Sequence, residues 1–310
     1  MPTISESAGD LYRNRQVAES FGTDAARYDR TRPTYPAALV ERIVATSPGR
    51  DFLDVGIGTG IAARLFQAAG CSVLGVEVDA RMAEFARNAG GGGGVEVEVS
   101  TIEDWDAAGR TFDAVVSGQA WHWVDPVAGA AKAAEVLRPG GLFAAFWNVH
   151  QPPADVSAAF VEVYRQYAPE LPVSQAPANP VGSYLGFCER VGQNLRATHG
   201  AFGEPETWRF EWDKTYTRDE WLDVTPTHGG HSLLPPERLK ALLGALGAAI
   251  DEFGGGFVVH YTTVAVTALR FPSSPARGEP HGPSAQTVAG RTDKKREHTP
   301  GFPGESRPSE

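Results

Sequence analysis

The chain of 310 residues reads as an α/β protein built on a doubly wound, mostly parallel sheet with a helical cap. Three observations point there. Strand-like apolar runs alternate with helix-like runs between residues 51 and 147, the order that builds a parallel sheet. A glycine-rich turn, FLDVGIGTG, closes the first of these runs at residues 52–60. A last run rich in Val, Thr and Tyr, residues 257–269, brings the chain back to the sheet.

Residues 1–20 are polar and unpatterned, and are expected to be flexible. Residues 51–55 form a short strand, and residues 61–69 a helix that stops at Gly70. Strands are expected at 72–78, 95–99 and 112–117, with the five glycines at 90–94 a loose loop between helix and strand. The alanine-rich stretch 126–138 begins at Pro126 and is followed by Pro139-Gly140-Gly141, a start and a stop for a helix. Residues 142–147 make a fifth strand. Residues 150–208, rich in Pro and aromatics with one clear helical run at 157–167, read as a cap insertion. A strand at 209–216 leads to Thr217 and Glu220, spaced as a capping box, and a helix at 235–249 follows. The main domain is therefore placed at 21–270. From Phe271 the chain is dense in Pro, Gly and Ser and lacks the apolar surface that offsets chain entropy. Disorder is expected for 271–310, with Lys294, Lys295 and Arg296 a solvated charge run.

A net charge of −10 disfavours a broad nucleic-acid surface and suits small-molecule chemistry. The two cysteines, Cys71 and Cys188, make no disulfide scaffold and suit a reducing compartment. The N-terminus has no signal-peptide pattern, and no run of about 18 apolar residues spans a membrane. A cytoplasmic protein without membrane contact is expected; its oligomeric state is not legible.

The glycine turn narrows the ligand. A dinucleotide fingerprint, G-x-G-x-x-G/A, needs a small residue where Ile61 stands, and no G-K-[ST] follows to make a phosphate loop. The pattern is instead D-x-G-x-G-x-G, from Asp54 through Gly56, Gly58 and Gly60. Asp54 beside the turn suits an ammonium group, and Glu77 at the end of the second strand suits ribose hydroxyls. Two acids around one glycine turn fit a ribose-bearing cation better than a diphosphate. A nicotinamide-dependent oxidoreductase on a similar sheet is the rival reading, and a donor-binding relative without turnover is a second.

The segments DVGIGTG, GVEVD, IEDW, FDAVVSGQAWHWVDP and LRPGG, in this order, resemble class I S-adenosylmethionine-dependent methyltransferases, more narrowly the methyltransferase type 11 and trans-aconitate methyltransferase-like group. FGTDAARYDRTRPTYP resembles the leading helix and turn of that group. The resemblance implies a Rossmann-like, seven-stranded sheet whose last strand is antiparallel. It implies S-adenosyl-L-methionine as cofactor and in-line methyl transfer to an O, N or C atom of a small-molecule acceptor. Gly56, Gly58 and Gly60 would pass under the methionine part, Asp54 would receive its amino group, and Glu77 would hold the ribose. Val78, Asp79, Ile102 and Glu103 would edge the adenine; a plain helix-terminal acid is the other reading of Glu103. Tyr28, Arg32 and Tyr35 resemble a lid, with Arg32 meeting a donor or acceptor carboxylate. Gln119 follows the fourth strand, where the reactive methyl should point. His122, between Trp121 and Trp123, is a candidate general base, or else a satisfied structural residue. The aromatics beside it could face a sulfonium. In THGGH, His228 and His231 are candidate acceptor contacts; with no third ligand nearby they make a poor metal site. The aromatics Phe160, Tyr164, Tyr167, Tyr184 and Phe187 would line the acceptor pocket or fill the cap's own core.

Overall fold

The computed structural model describes residues 8–89, 94–175 and 179–271. The tail from residue 272 and the glycines at 90–93 lie outside the described residues. Short helices lead in: a 3-10 turn at Ala8–Arg13, α1 (Arg15–Ala18), a second turn at Phe21–Asp24, α2 (Ala25–Thr31) and α3 (Ala37–Thr46). The winding follows: β1 (Asp51–Val55), α4 (Ile61–Ala68), β2 (Ser72–Glu77), α5 (Ala80–Asn88), β3 (Glu96–Val99), β4 (Phe112–Gly118), α6 (Pro126–Val136) and β5 (Leu137–Gln151). The second half holds α7 (Ala154–Tyr167), α8 (Pro180–Arg196), β6 (Glu206–Thr217), α9 (Arg218–Val224), α10 (Pro236–Glu252) and β7 (Gly256–Leu269).

The seven strands form one sheet in the order β3-β2-β1-β4-β5-β7-β6. Only β7 runs against its neighbours, pairing antiparallel with both β5 and β6. The order reverses at β1 and β4, which pair in parallel. A ligand crevice opens beyond the carboxyl ends of the strands at such a switch point.

Each face is closed by helices whose apolar stripes match it. Leu39, Ile43, Ala63, Phe66 and Ala83 from α3, α4 and α5 cover one side. Ala130 and Ala133 of α6 and Phe187, Val191 and Leu195 of α8 cover the other. A third cluster joins α7, α9 and α10 to the ends of β6 and β7 through Phe160, Trp221, Leu246, Tyr216 and Tyr261. Residues 150–208 thus divide: α7 belongs to this cap, whereas α8 lies on the sheet, and α10 packs beside α7. Burying one such side chain is worth about 1.5–3 kcal/mol.

Local signals explain most boundaries. Asp125 caps α6 by accepting from the amides of Val127 and Ala128, with Pro126 in its first turn. Thr217 and Glu220 form the expected capping box of α9. Three departures have physical causes. LRPGG does not end a helix and then loop. Leu137 already pairs with Phe112, and Gly140 (φ +79°) makes the irregularity. The helix α8 escapes sequence reading because Gly182, Gly186 and Gly192 lower its intrinsic propensity. The N-terminal stretch carries helical turns, and Leu11 packs against the α6/α8 core. Cys71 and Cys188 are free and buried. Among the described residues no helix is long and apolar enough to cross a membrane.

Candidate active site

Beyond β1 the chain turns through Gly56 (φ +67°), Gly58 (φ +58°) and Gly60 (φ +85°), a conformation side chains disfavour. Gly56 has a second reason to be glycine: a Cβ there would stand 2.4 Å from that of Ala120. Glu77 holds this loop to β2. One of its carboxylate oxygens accepts from the amide of Gly58 at 2.7 Å, the other from those of Val78 at 2.9 Å and Asp79 at 3.0 Å. Burial pushes the Glu77 carboxyl up, and the three amide bonds oppose that push.

Asp54 is the stranger group. It is 1% exposed, and neither carboxylate oxygen has a hydrogen-bond partner. Burial first, and the Glu77 charge second, raise its pKa well above the carboxylate range. Thr59 Oγ1 is likewise buried without a partner.

The N-terminal segment closes one side. Asp79 accepts from the amide of Gly22 at 3.0 Å and pairs with Arg81 at 2.7 Å. Arg27 and Arg30 of α2 both reach Asp223 of α9, at 3.1 and 2.9 Å. Arg32 lies 4.8 Å over the Tyr28 ring and donates through Nη2 to the Thr227 carbonyl at 3.2 Å, while its Nε and Nη1 are buried with no partner.

Among the sequence candidates, Tyr28, Arg32, Gly56, Gly58, Glu77, Val78, Ile102, Glu103, Gln119 and His122 line one cleft. Trp123 and Tyr184, named from the sequence as a cation-facing and an acceptor-pocket aromatic, join them, as do Phe21 and Met82, which were not foreseen. Gln119 stands in the left-handed region at φ +61°, with Nε2 donating to the Asn148 carbonyl at 3.3 Å. Glu103 also accepts from the Asp125 amide at 2.6 Å, so its carboxylate serves the entrance to α6 as well.

Several candidates fall elsewhere. Gly60 starts α4. Trp121 does not reach the cleft: its ring is packed into the core, edge-on to Phe143 at 4.7 Å, and Trp123 takes the wall position. Tyr35 is buried against Phe146. His231 is 1% exposed and bonds the Tyr164 hydroxyl at 2.8 Å, a structural tie rather than an open contact. His228 faces a second cavity, lined also by His150, Phe160, Tyr164 and Trp221. Tyr184 walls both cavities.

The bonding of His122 favours the structural of its two readings. An indole N–H can only donate, and Trp147 Nε1 donates to His122 Nδ1 at 3.1 Å. A neutral imidazole so held carries its proton on Nε2, which is buried with no partner. Burial pushes the pKa down to about 3. His122 therefore offers an N–H and cannot take a proton at Nε2, as a general base there must. Its side-chain ¹⁵N shifts are expected to show the Nε2–H form unchanged from pH 5 to 8; a titration near pH 6.5 would refute that assignment.

The sheet order is the Rossmann-like, seven-stranded one that the resemblance implies. Residues 53–145 match the family model described as a methyltransferase domain. The chain is 34% identical over 137 residues to an uncharacterized methyltransferase of Mycobacterium tuberculosis, covering 43% of this chain and 54% of that one. It is 30% identical over 137 residues to the malonyl-[acyl-carrier protein] O-methyltransferase of Pectobacterium atrosepticum, covering 43% and 53%. Among solved structures, a type II methyltransferase from Anaeromyxobacter dehalogenans superposes with a TM-score of 0.54 at 24% identity, over 78% of this chain and 99% of that one. The match over residues 53–145 and these relatives liken the chain to methyltransferases rather than to nicotinamide-dependent oxidoreductases. The match is to this domain at large rather than to the trans-aconitate subgroup. The chain spans about half the length of these curated relatives.

Proposed function

We propose that the protein transfers a methyl group from S-adenosyl-L-methionine to a small-molecule acceptor by in-line displacement. One observation carries the reading. Two Arg32 nitrogens in the wall of one cleft at the sheet's switch point, and both Asp54 oxygens and Thr59 Oγ1, which flank the glycine turn but do not line that cleft, are buried without partners. Buried polar groups are rarely left so, and each costs about 1–3 kcal/mol until a ligand satisfies it. The set fits the donor's amino-acid end: Asp54 answers an ammonium and Arg32 a carboxylate.

Glu77 keeps lone pairs for ribose hydroxyls after accepting its three amides. Val78, Met82 and Ile102 give an apolar slot for a purine. Tyr28, Phe21 and Trp123 offer aromatic surface to a cation. The bound donor supplies a methyl already activated on sulfonium. The chain's part is to align that methyl with the acceptor and to exclude water, worth up to about 7–11 kcal/mol.

Calorimetric titration tests the reading. S-adenosylhomocysteine is expected to bind with a Kd on the order of micromolar, about 8 kcal/mol, and NAD not at all. No heat with the former, or equal binding of both, would refute it.

A further inference from the structure

The second cavity has a chemistry of its own. It opens beyond the end of β4, where β5 runs on past Phe146, the last residue paired with β4, to Gln151 beside β7. That extension carries His150. The imidazole of His228, from the loop after α9, stacks on that of His150 with ring planes 5° apart and centroids 6.1 Å apart. Neither imidazole has a hydrogen-bond partner among the described residues, in contrast to His231. Both face the cavity, whose other walls include Phe160, Trp221 and Tyr184. Aromatic walls select a flat apolar body. Unpartnered ring nitrogens on these half-buried imidazoles select a hydroxyl to bond.

We propose that this cavity takes an acceptor of the phenol class, and that the paired imidazoles of His150 and His228 receive its hydroxyl proton as the oxygen is methylated. The proposal rests on the methyl-donor reading of the first cleft. The step balances: the O–H bond breaks and its proton passes to an imidazole nitrogen, the oxygen forms the new bond to the methyl carbon, and the carbon–sulfur bond breaks with its electron pair left on sulfur. The products are an aryl methyl ether, the neutral thioether and an imidazolium. One positive charge is present before and after, moved from sulfur to imidazole. Burial and the nearby Arg32 keep both imidazoles uncharged in the resting site, His150 down to about 3 and His228 well below its usual value. The same burial weakens both as bases, and the disappearance of the sulfonium charge in the same step offsets that loss.

The test compares two phenols on the full chain at pH 8. 4-Ethylphenol is still protonated there, whereas 4-nitrophenol is already ionised. Replacing both residues (His150→Gln with His228→Gln) is expected to lower kcat about 100-fold for 4-ethylphenol, the scale of general-base assistance, and less than tenfold for 4-nitrophenol. S-adenosylhomocysteine affinity, measured by calorimetry, should not change. The absorbance of 4-nitrophenol bound to the S-adenosylhomocysteine complex should show the phenolate in wild type and variant alike. Equal losses with the two phenols would overturn the proton-accepting role. Binding of S-adenosylhomocysteine without methylation of either phenol by the wild type would overturn the acceptor class alone. Absence of that binding would overturn the donor reading as well. If the double variant fails to fold, each single variant carries the same comparison.

Discussion

Asp54→Asn is expected to melt higher than the wild type and yet to bind S-adenosylhomocysteine at least about 30-fold more weakly. The unliganded protein holds the Asp54 carboxyl in the core with no partner, and burial with the Glu77 charge makes it take up a proton to stay there. An amide needs no such proton, so the variant should be more stable by about 1–2 kcal/mol near neutral pH, some 2–4 °C in Tm per kcal/mol for a chain of this size. The same change removes the charge that answers the donor's ammonium, a loss of about 2 kcal/mol in binding. The pH dependence follows in sign. A native pKa above the unfolded value gives stability that is full below the ordinary carboxylate range and is lost as pH rises to the raised native value. Wild type should lose stability across that window and the variant should not. Donor binding should release a proton from Asp54, visible as a binding enthalpy that varies with the buffer's ionisation heat. A lower Tm together with unchanged affinity would refute the assignment.

Glu77→Ala should do the opposite to stability while also weakening the donor. It leaves the amides of Gly58, Val78 and Asp79 without their acceptor. Stranding buried donors costs about 1–3 kcal/mol each where water cannot enter, so a fall of several degrees in Tm is expected. Donor affinity should drop at least about tenfold, roughly 1.4 kcal/mol. Glu77→Gln should rescue only in part: with its oxygen toward Val78 and Asp79, its NH₂ meets the Gly58 amide donor to donor. Full rescue by glutamine would show that neither the loop nor the ribose needs the second oxygen.

The two variants mark what the sequence could show. Asp54 and Glu77 sit at the ends of short apolar runs framed by glycines, so their places at adjacent strand ends were legible. What separates them, three amide partners for one and none for the other, depends on how the loop folds back and was not. Gln151 and His150 were hidden because a strand that outruns its parallel neighbours looks, after Trp147-Asn148, like the start of a loop. The tautomer of His122 is set by Trp147 on another element, and no local pattern records it. Trp121 and Trp123 are two residues apart in a 3-10 turn, and that geometry alone sends one ring to the core and the other to the cleft.

The overlong β5 separates two inheritances. The stretch that matches the family model ends at residue 145, just short of the strand's extension. Everything that grips the proposed donor's glycine loop and ribose lies within or before it. His150, Phe160, Trp221 and His228, the walls of the second cavity, all come after. Drift in the later half can retune what is methylated while the earlier half keeps its grip on the donor. Paralogues of this architecture are therefore expected to diverge in acceptor long before they diverge in donor.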